Sequence, residues 1–214
     1  MPSRYIVRDF KENSIYHVFN RGIEKRDLFL DEQDFKMFLY YLMIYLLPLE
    51  KIFEKYPYFP LRLQARNLSK ELELLCYCLM PNHFHLLIKQ ITRDGISKLL
   101  KQVMNGYTLY FNEKYERLGS LIQGSFRAVE IINDDLLLHV FRYIHLNPAV
   151  SGIVKKPVEY RWSSYSFYLQ GKESICKKDL FLSYFPSLTK LREFTEDQID
   201  YAKQLDKIKH LTIE

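Results

Sequence analysis

The amino-acid sequence predicts an α+β fold: an antiparallel sheet with helices on one face, followed by a C-terminal helical extension. Three observations carry this expectation. Two stretches alternate with the period of two that strands require, two more read as short strands, and three others repeat apolar residues at helical spacing. Their order is strand, helix, strand, strand, helix, strand, helix. The central pair of strands is separated only by Met80-Pro81-Asn82-His83, where proline and asparagine suit a tight reversal.

The first strand is Ser14 to Arg21, ending at Gly22, with Ile15, His17 and Phe19 on one face and Tyr16 and Val18 on the other. Lys25 and Arg26 follow in a loop. A helix is expected from about Asp31 to Leu47, with Asp31 as its N-cap and Phe35, Phe38, Leu39, Leu42 and Leu46 as its apolar stripe. Pro48 to Lys70 shows no clear period and holds three prolines, so it reads as an insertion loop. The hairpin runs from Leu72 to Ile91. On its second strand His83, His85, Leu87 and Lys89 share one face, while Phe84, Leu86 and Ile88 share the other. Phe84, Leu86 and Ile88 belong beneath helices, so the histidine face is expected to be open.

Ser97 to about Lys114 forms the second helix, with Leu99, Leu100, Val103, Met104, Tyr107 and Phe111 in its stripe and a mild weakening at Gly106. After a loop at residues 119–124, Phe126 to Ile132 is a short strand. Asp134 and Asp135 open a third helix, with Leu137, Val140, Phe141 and Ile144 as its core stripe and a stop at Asn147-Pro148. The first six elements are thus βαββαβ, the ferredoxin-like arrangement. A terminal helix is expected from Thr195, capped by Thr195 with Gln198 and packing through Ile199, Ala202, Leu205 and Ile208. Residues 1–170 form one expected domain, with 48–70 as its insertion, and 171–214 an extension.

Composition narrows the function classes. With 48% apolar and 27% charged residues the chain is globular. No apolar run approaches a membrane span and the N-terminal stretch lacks a signal-peptide core, so no membrane partner is expected. Cys76, Cys78 and Cys176 are odd in number and contain no CxxC pair, which fits a reduced, cytoplasmic chain and argues against a thiolate zinc site. The net charge is +5, yet the last 42 residues carry seven Lys/Arg against eight Asp/Glu, so the body is the basic part. That suits a polyanion partner such as nucleic acid, although ordinary enzymes share the balance. The 17 tyrosines and 15 phenylalanines supply either stacking surface or a thick aromatic core.

Two constellations bear on chemistry. His83 and His85 stand at i and i+2, about 7 Å apart at the backbone, a spacing that suits two ligands of one cation. A bare His-x-His is more often just a pair of half-exposed strand histidines. On the third helix His139, Tyr143 and Asn147 lie four apart and share one face. Read singly, His139 is a surface residue, Tyr143 a packing residue and Asn147 a helix stop.

The combination resembles a known group. YHVFNRG at Tyr16–Gly22, CYCLMPNHFHLL at Cys76–Leu87, YFNEKY at Tyr110–Tyr115, QGSFR at Gln123–Arg127, YIHLNPAVSGIV at Tyr143–Val154 and WSSY at Trp162–Tyr165 follow in the order seen in REP-associated tyrosine transposases. These are single-tyrosine members of the HUH endonuclease superfamily, of the IS200-like type. The resemblance implies the HUH endonuclease fold, with His83 and His85 holding a divalent metal, Mg²⁺ or Mn²⁺. Asn147 would complete that site and Tyr143 would be the nucleophile. It also implies single-stranded DNA with a hairpin beside the cut as substrate, a 5′-phosphotyrosine intermediate, and either a monomer or a homodimer. Arg21, Lys25, Arg26, Lys89 and Arg127 are candidate phosphate contacts. The chain departs from relatives at Ile122, where they usually have tryptophan, and at Ser125, where they have a basic residue.

Two other readings fit the same fold. One is a non-catalytic ferredoxin-like nucleic-acid-binding module, which would carry exposed aromatics where His83 and His85 stand. The other is a metal-dependent phosphohydrolase using water, with Tyr143 merely structural.

Overall fold

Most strands and helices lie where the periodicities predict them. The computed structural model describes residues 9–171, 173–200 and 202. The strands are β1 (Ser14–Arg21), β2 (Leu72–Met80), β3 (His83–Gln90) and β4 (Arg127–Ile131). They form one sheet in the order β2-β3-β1-β4, with every neighbouring pair antiparallel. This is the predicted βαββαβ topology. Its two intervening helices, α1 (Glu32–Leu46) and α4 (Gly95–Lys114), lie together on one face.

On that face Tyr16, Val18, Phe84, Leu86 and Ile88 meet Phe38 and Leu42 of α1 and Leu99, Val103 and Tyr107 of α4, all fully buried or nearly so. Each buried side chain of this size contributes about 1.5–3 kcal/mol. Asp31 caps α1 as expected, and Asp34 closes the capping box from inside the first turn. Gly106 has a positive use as well as a cost. A Cβ there would stand 2.8 Å from the Tyr41 ring, so the glycine admits α1 close against α4. The stretch expected to be an unstructured insertion instead forms two short helices, α2 (Leu49–Lys55) and α3 (Leu61–Gln64). Pro48 and Pro60 occupy their N-caps, which explains why the prolines do not exclude helix there.

The opposite face is not open, contrary to expectation. Helix α5 (Asp134–Val150) crosses it, and Leu137, Phe141 and Ile144 bury against Leu75, Cys76, Cys78 and Leu87. The remaining helices, α6 (Tyr165–Gln170), α7 (Asp179–Ser183) and α8 (Leu188–Glu196), add Tyr168, Phe181 and Leu191 to this second core. The cover is possible because the histidine face is polar only along β3 and β1. Its β2 part is apolar. Pro148 does not end α5, which runs on to Val150. The Ser151 N–H bonds to the Asn147 carbonyl, 2.9 Å away, so the last turn closes around the proline.

The WSSY stretch gains a structural role. Ser163 bridges to Cys78, the Leu79 N–H donates to Trp162 O and the Ser164 N–H to Tyr77 O, so the segment lines the outer edge of β2. Ser187, rather than Thr195, caps the helix preceding the C-terminal end, and Thr195 is buried inside α8 with its hydroxyl donating to Leu191 O. A further turn, with Ala202 N–H bonded to Gln198 O, begins where the terminal helix was expected; Leu205 and Ile208 lie outside the described residues. Among the described residues no helix is long and apolar enough to cross a membrane. Cys76, Cys78 and Cys176 are buried and unbridged.

Candidate active site

The position of Tyr143 follows from how α5 is docked. Its apolar stripe settles on β2, and His145, fully buried, places Nε2 2.8 Å from Ser164 Oγ at the sheet edge. On the other side Arg142 lies over the Phe194 ring and pairs with Asp197 at 3.7 Å, tying α5 to α8 and its C-cap. With those neighbours fixed, Tyr143 is rotated towards β3 and β1. Its ring centroid lies 5.4 Å from that of His85 and 5.9 Å from that of His17, edge-on to both, and the residue remains 48% exposed.

Sheet register explains the company His85 keeps. Directly opposite residues on antiparallel strands point to the same face. His85 stands opposite Cys78 on one side and Phe19 on the other, and Phe19 stands opposite Arg127. In the next row His83 stands opposite Arg21. His17, two residues before Phe19, reaches across so that its Nε2 lies 2.9 Å from His85 Nδ1. The sequence reading set His17 on this face but gave it no role. Pairing β1 with β3, as the βαββαβ order requires, was the signal that could have found it.

Both imidazoles of β3 are hydrogen-bonded through the same nitrogen. Asn82 donates its amide N–H to Lys25 O at 3.2 Å, which turns its carbonyl oxygen to His83 Nδ1, 2.6 Å away. His83 must therefore carry its proton on Nδ1, leaving a lone pair on Nε2. In His85 the Nδ1 is engaged with His17, while Nε2 is buried without a hydrogen-bond partner. Burial holds these rings neutral. It pushes His83 down to about 4, with the Arg21 cation adding to the effect, and His17 also to about 4. It sends His85 well below the ordinary histidine range, helped by the two neighbouring imidazoles. Neutral imidazole is the form that binds metal.

As a metal centre the donor set is sparse but chemically apt. Among the described residues no group of three or more His, Cys, Asp and Glu is assembled for an ion. Two neutral imidazoles, each hydrogen-bonded at Nδ1 with Nε2 left over, are nevertheless the arrangement typical of histidine ligands. The unpartnered His85 Nε2 is the orphan polar atom that a cation would satisfy. Asn147, one turn beyond Tyr143, donates its amide N–H to Tyr143 O at 2.7 Å. Its side-chain oxygen is the atom that could serve as a third donor.

The candidate cations divide. The turn at residues 22–26 folds against the hairpin tip, with Gly22 N–H bonded to Asn82 O, so Arg21, Lys25 and Arg26 gather at the His83 end of the sheet. A Cβ on Gly22 would collide with the Arg26 carbonyl, so this turn needs the glycine. Arg21 donates to the Gln123 side chain, and Arg26 pairs with Glu24 at 3.5 Å. Arg127 is exposed in the His85 row. Lys89 is not brought in. It sits six residues along β3 from His83, about 20 Å away, and pairs with Glu73 at 4.0 Å. His139 is exposed on α5, one turn before Tyr143. Ile122, where relatives carry tryptophan, is buried and bridges to Gly22, whereas Ser125 is exposed.

Comparison with known proteins agrees with this architecture. Residues 62–147 match the family described as "Transposase IS200 like". Among solved structures, a REP-associated tyrosine transposase bound to a REP hairpin aligns at a TM-score of 0.55 and 17% identity, covering 82% of this chain and 90% of that one. A Deinococcus radiodurans R1 chain described provisionally as a transposase aligns at a TM-score of 0.36 and 16% identity, covering 67% and 95%. No protein of curated function gave a significant match. The matched segment holds β2, β3, α4, β4 and α5 up to Asn147. This segment is similar to the IS200-like transposase family, and the chain shares its fold with the REP-associated tyrosine transposase.

Proposed function

We propose that the protein is a metal-dependent single-stranded DNA endonuclease and strand transferase that cuts beside a DNA hairpin through Tyr143. The observation that carries this reading is the approach of the half-exposed Tyr143 ring, on a different element, to within 5.4 Å of the His85 ring. A phenol with an ordinary pKa of about 10 is a weak nucleophile at neutral pH and needs charge neutralised on its target. His83, His85 and Asn147 would hold Mg²⁺ or Mn²⁺, which would supply Lewis acidity at a phosphate oxygen. The chain's own residues do the rest. Arg21, Lys25, Arg26 and Arg127 bind the backbone phosphates beside the histidines. Tyr143 Oη attacks phosphorus in line, its proton passing to solvent, and the P–O3′ bond breaks. The 3′ oxygen leaves and takes up a proton as a free hydroxyl, and the DNA 5′ end stays on Tyr143 as a phosphodiester. Attack by a 3′-OH reverses the step and reseals a strand without ATP. The structural neighbour solved with a REP hairpin supports DNA hairpins of that kind as the partner. Residues 1–170 would form the transferase domain, with 171–214 as an extension whose α8 packs against α5.

The test is incubation of the full chain with end-labelled single-stranded hairpin DNA and Mn²⁺. A covalent protein–DNA adduct is expected, and it should vanish in Tyr143→Phe while DNA binding persists. Cleavage that survives this substitution would mean hydrolysis by water. Binding with no cleavage under any metal would mean a recognition module.

A further inference from the structure

We propose that His17 is a positioning residue, accepting a hydrogen bond from His85 Nδ1–H and thereby fixing His85 in the tautomer that presents a bare Nε2. The inference rests on the metal-binding reading of His85 and adds a residue to it. Each HUH imidazole has two nitrogens, and only one can face a cation. For His83 the choice is made locally, since the adjoining Asn82 turns a carbonyl oxygen to Nδ1 and can only accept there. His85 has no such neighbour in sequence. Its Nδ1 lies 2.9 Å from His17 Nε2 on the adjacent strand, and its Nε2 has no partner at all.

The contact is built into the sheet. His17 is 8% exposed and His85 4%, their ring centroids are 5.1 Å apart, and Phe19 stands 5.0 Å from His17 and 5.8 Å from His85. The Tyr143 ring stands steeply inclined to both, 5.9 Å from His17 and 5.4 Å from His85. Neither imidazole can swing to another rotamer without displacing an aromatic ring. In the proposed arrangement His17 is neutral and protonated at Nδ1, so its Nε2 accepts and His85 Nδ1–H donates. The outcome is that His83 and His85 turn equivalent nitrogens outward, one set by a turn asparagine and the other by a cross-strand histidine. His17 itself makes no contact with the cation in this scheme, because its Nε2 is already engaged. A partner that orients a metal-binding histidine typically changes metal affinity by about 10–100-fold when removed.

Histidine-ring ¹⁵N NMR on the metal-free, DNA-free full chain tests this directly. In wild type, His85 should appear as the Nδ1–H tautomer. His17→Gln, whose amide oxygen can accept at a similar reach, should preserve that tautomer. His17→Phe, which fills the space but accepts nothing, should shift His85 towards Nε2–H and weaken Mn²⁺ binding by about 10-fold or more, measured by titration calorimetry. A wild-type His85 protonated at Nε2 would overturn the inference, as would a His17→Phe protein with unchanged tautomer. The wild-type spectrum decides the matter even if the phenylalanine variant does not fold. Failure of the wild type to bind Mn²⁺ would remove the metal from the proposed function but leave the tautomer result standing.

Discussion

Two buried polar clusters sit on opposite sides of the sheet, and they are built on opposite principles. Between α1 and α4, Asp34 is completely buried. It accepts from the Leu30 and Asp31 N–H groups, from the Tyr110 and Tyr115 hydroxyls and from Lys114 Nζ, which also reaches Asp31. Every partner there closes on another. Between α5 and β3, the His17–His85 pair is equally enclosed, yet one nitrogen is left with no partner while a half-exposed tyrosine leans over it. A saturated network stabilises a fold and offers nothing to a ligand. An unsaturated one costs stability and persists where a ligand completes it.

The sharpest way to break this contrast is to remove each cluster's centre. Asp34→Ala should cost about 3 kcal/mol in urea unfolding, because it removes one half of the α1 capping box and takes the acceptor from two tyrosine hydroxyls, leaving Lys114 paired with Asp31 alone. The double substitution His17→Leu with His85→Leu should leave stability within about 1 kcal/mol of wild type, since both polar partners go together and apolar volume takes their place. Comparable losses in the two proteins would mean that the histidines are structural after all.

Acid sharpens the comparison next. His17 and His83, held at about 4, and His145, held at about 3 by burial, all bind protons more readily in the unfolded chain. Between pH 6.5 and 4 the unfolded state therefore carries the additional protons. Stability is full above about pH 6.5 and falls as pH drops through that window, by about 2 kcal/mol or more in sum. Urea midpoints at pH 7 and pH 5 measure it. In the double leucine variant the slope should flatten, and no change in slope would show that the pair is not what acid attacks.

The smallest expected effect concerns the rim. Arg21→Ala should weaken binding of a single-stranded hairpin by about 5–10-fold and lower the salt slope of log K by about 1, whereas Lys89→Ala should change binding less than about twofold. Fluorescence anisotropy across a salt series distinguishes them. Equal effects would move the DNA path along the sheet, away from the hairpin tip.

Much of this was legible before any coordinates. The strand at Ser14–Arg21, the Pro81-Asn82 reversal and the Asp31 cap are local matters of period and turn chemistry, and they stand as predicted. The helix at Leu49–Lys55 was missed because three prolines dominate its surroundings, although a proline at an N-cap starts a helix as readily as it stops one. YFNEKY could be quoted as a motif but not explained. Only the approach of α1 to α4 shows that Tyr110, Lys114 and Tyr115 exist to hold Asp34.

By itself the sequence determined which residues share a face, since alternation and helical spacing are properties of a single segment. It set His83 beside His85 and Tyr143 in line with Asn147. What only the tertiary structure decided was which faces meet. Helix α5 covers the histidine face because the β2 half of that face is apolar enough to bury Leu137, Phe141 and Ile144. His17 meets His85 because antiparallel register sets β1 against β3, two strands 61 residues apart at their nearest ends. Contacts of that range depend on strand order and register, and neither is written in any one stretch of the chain.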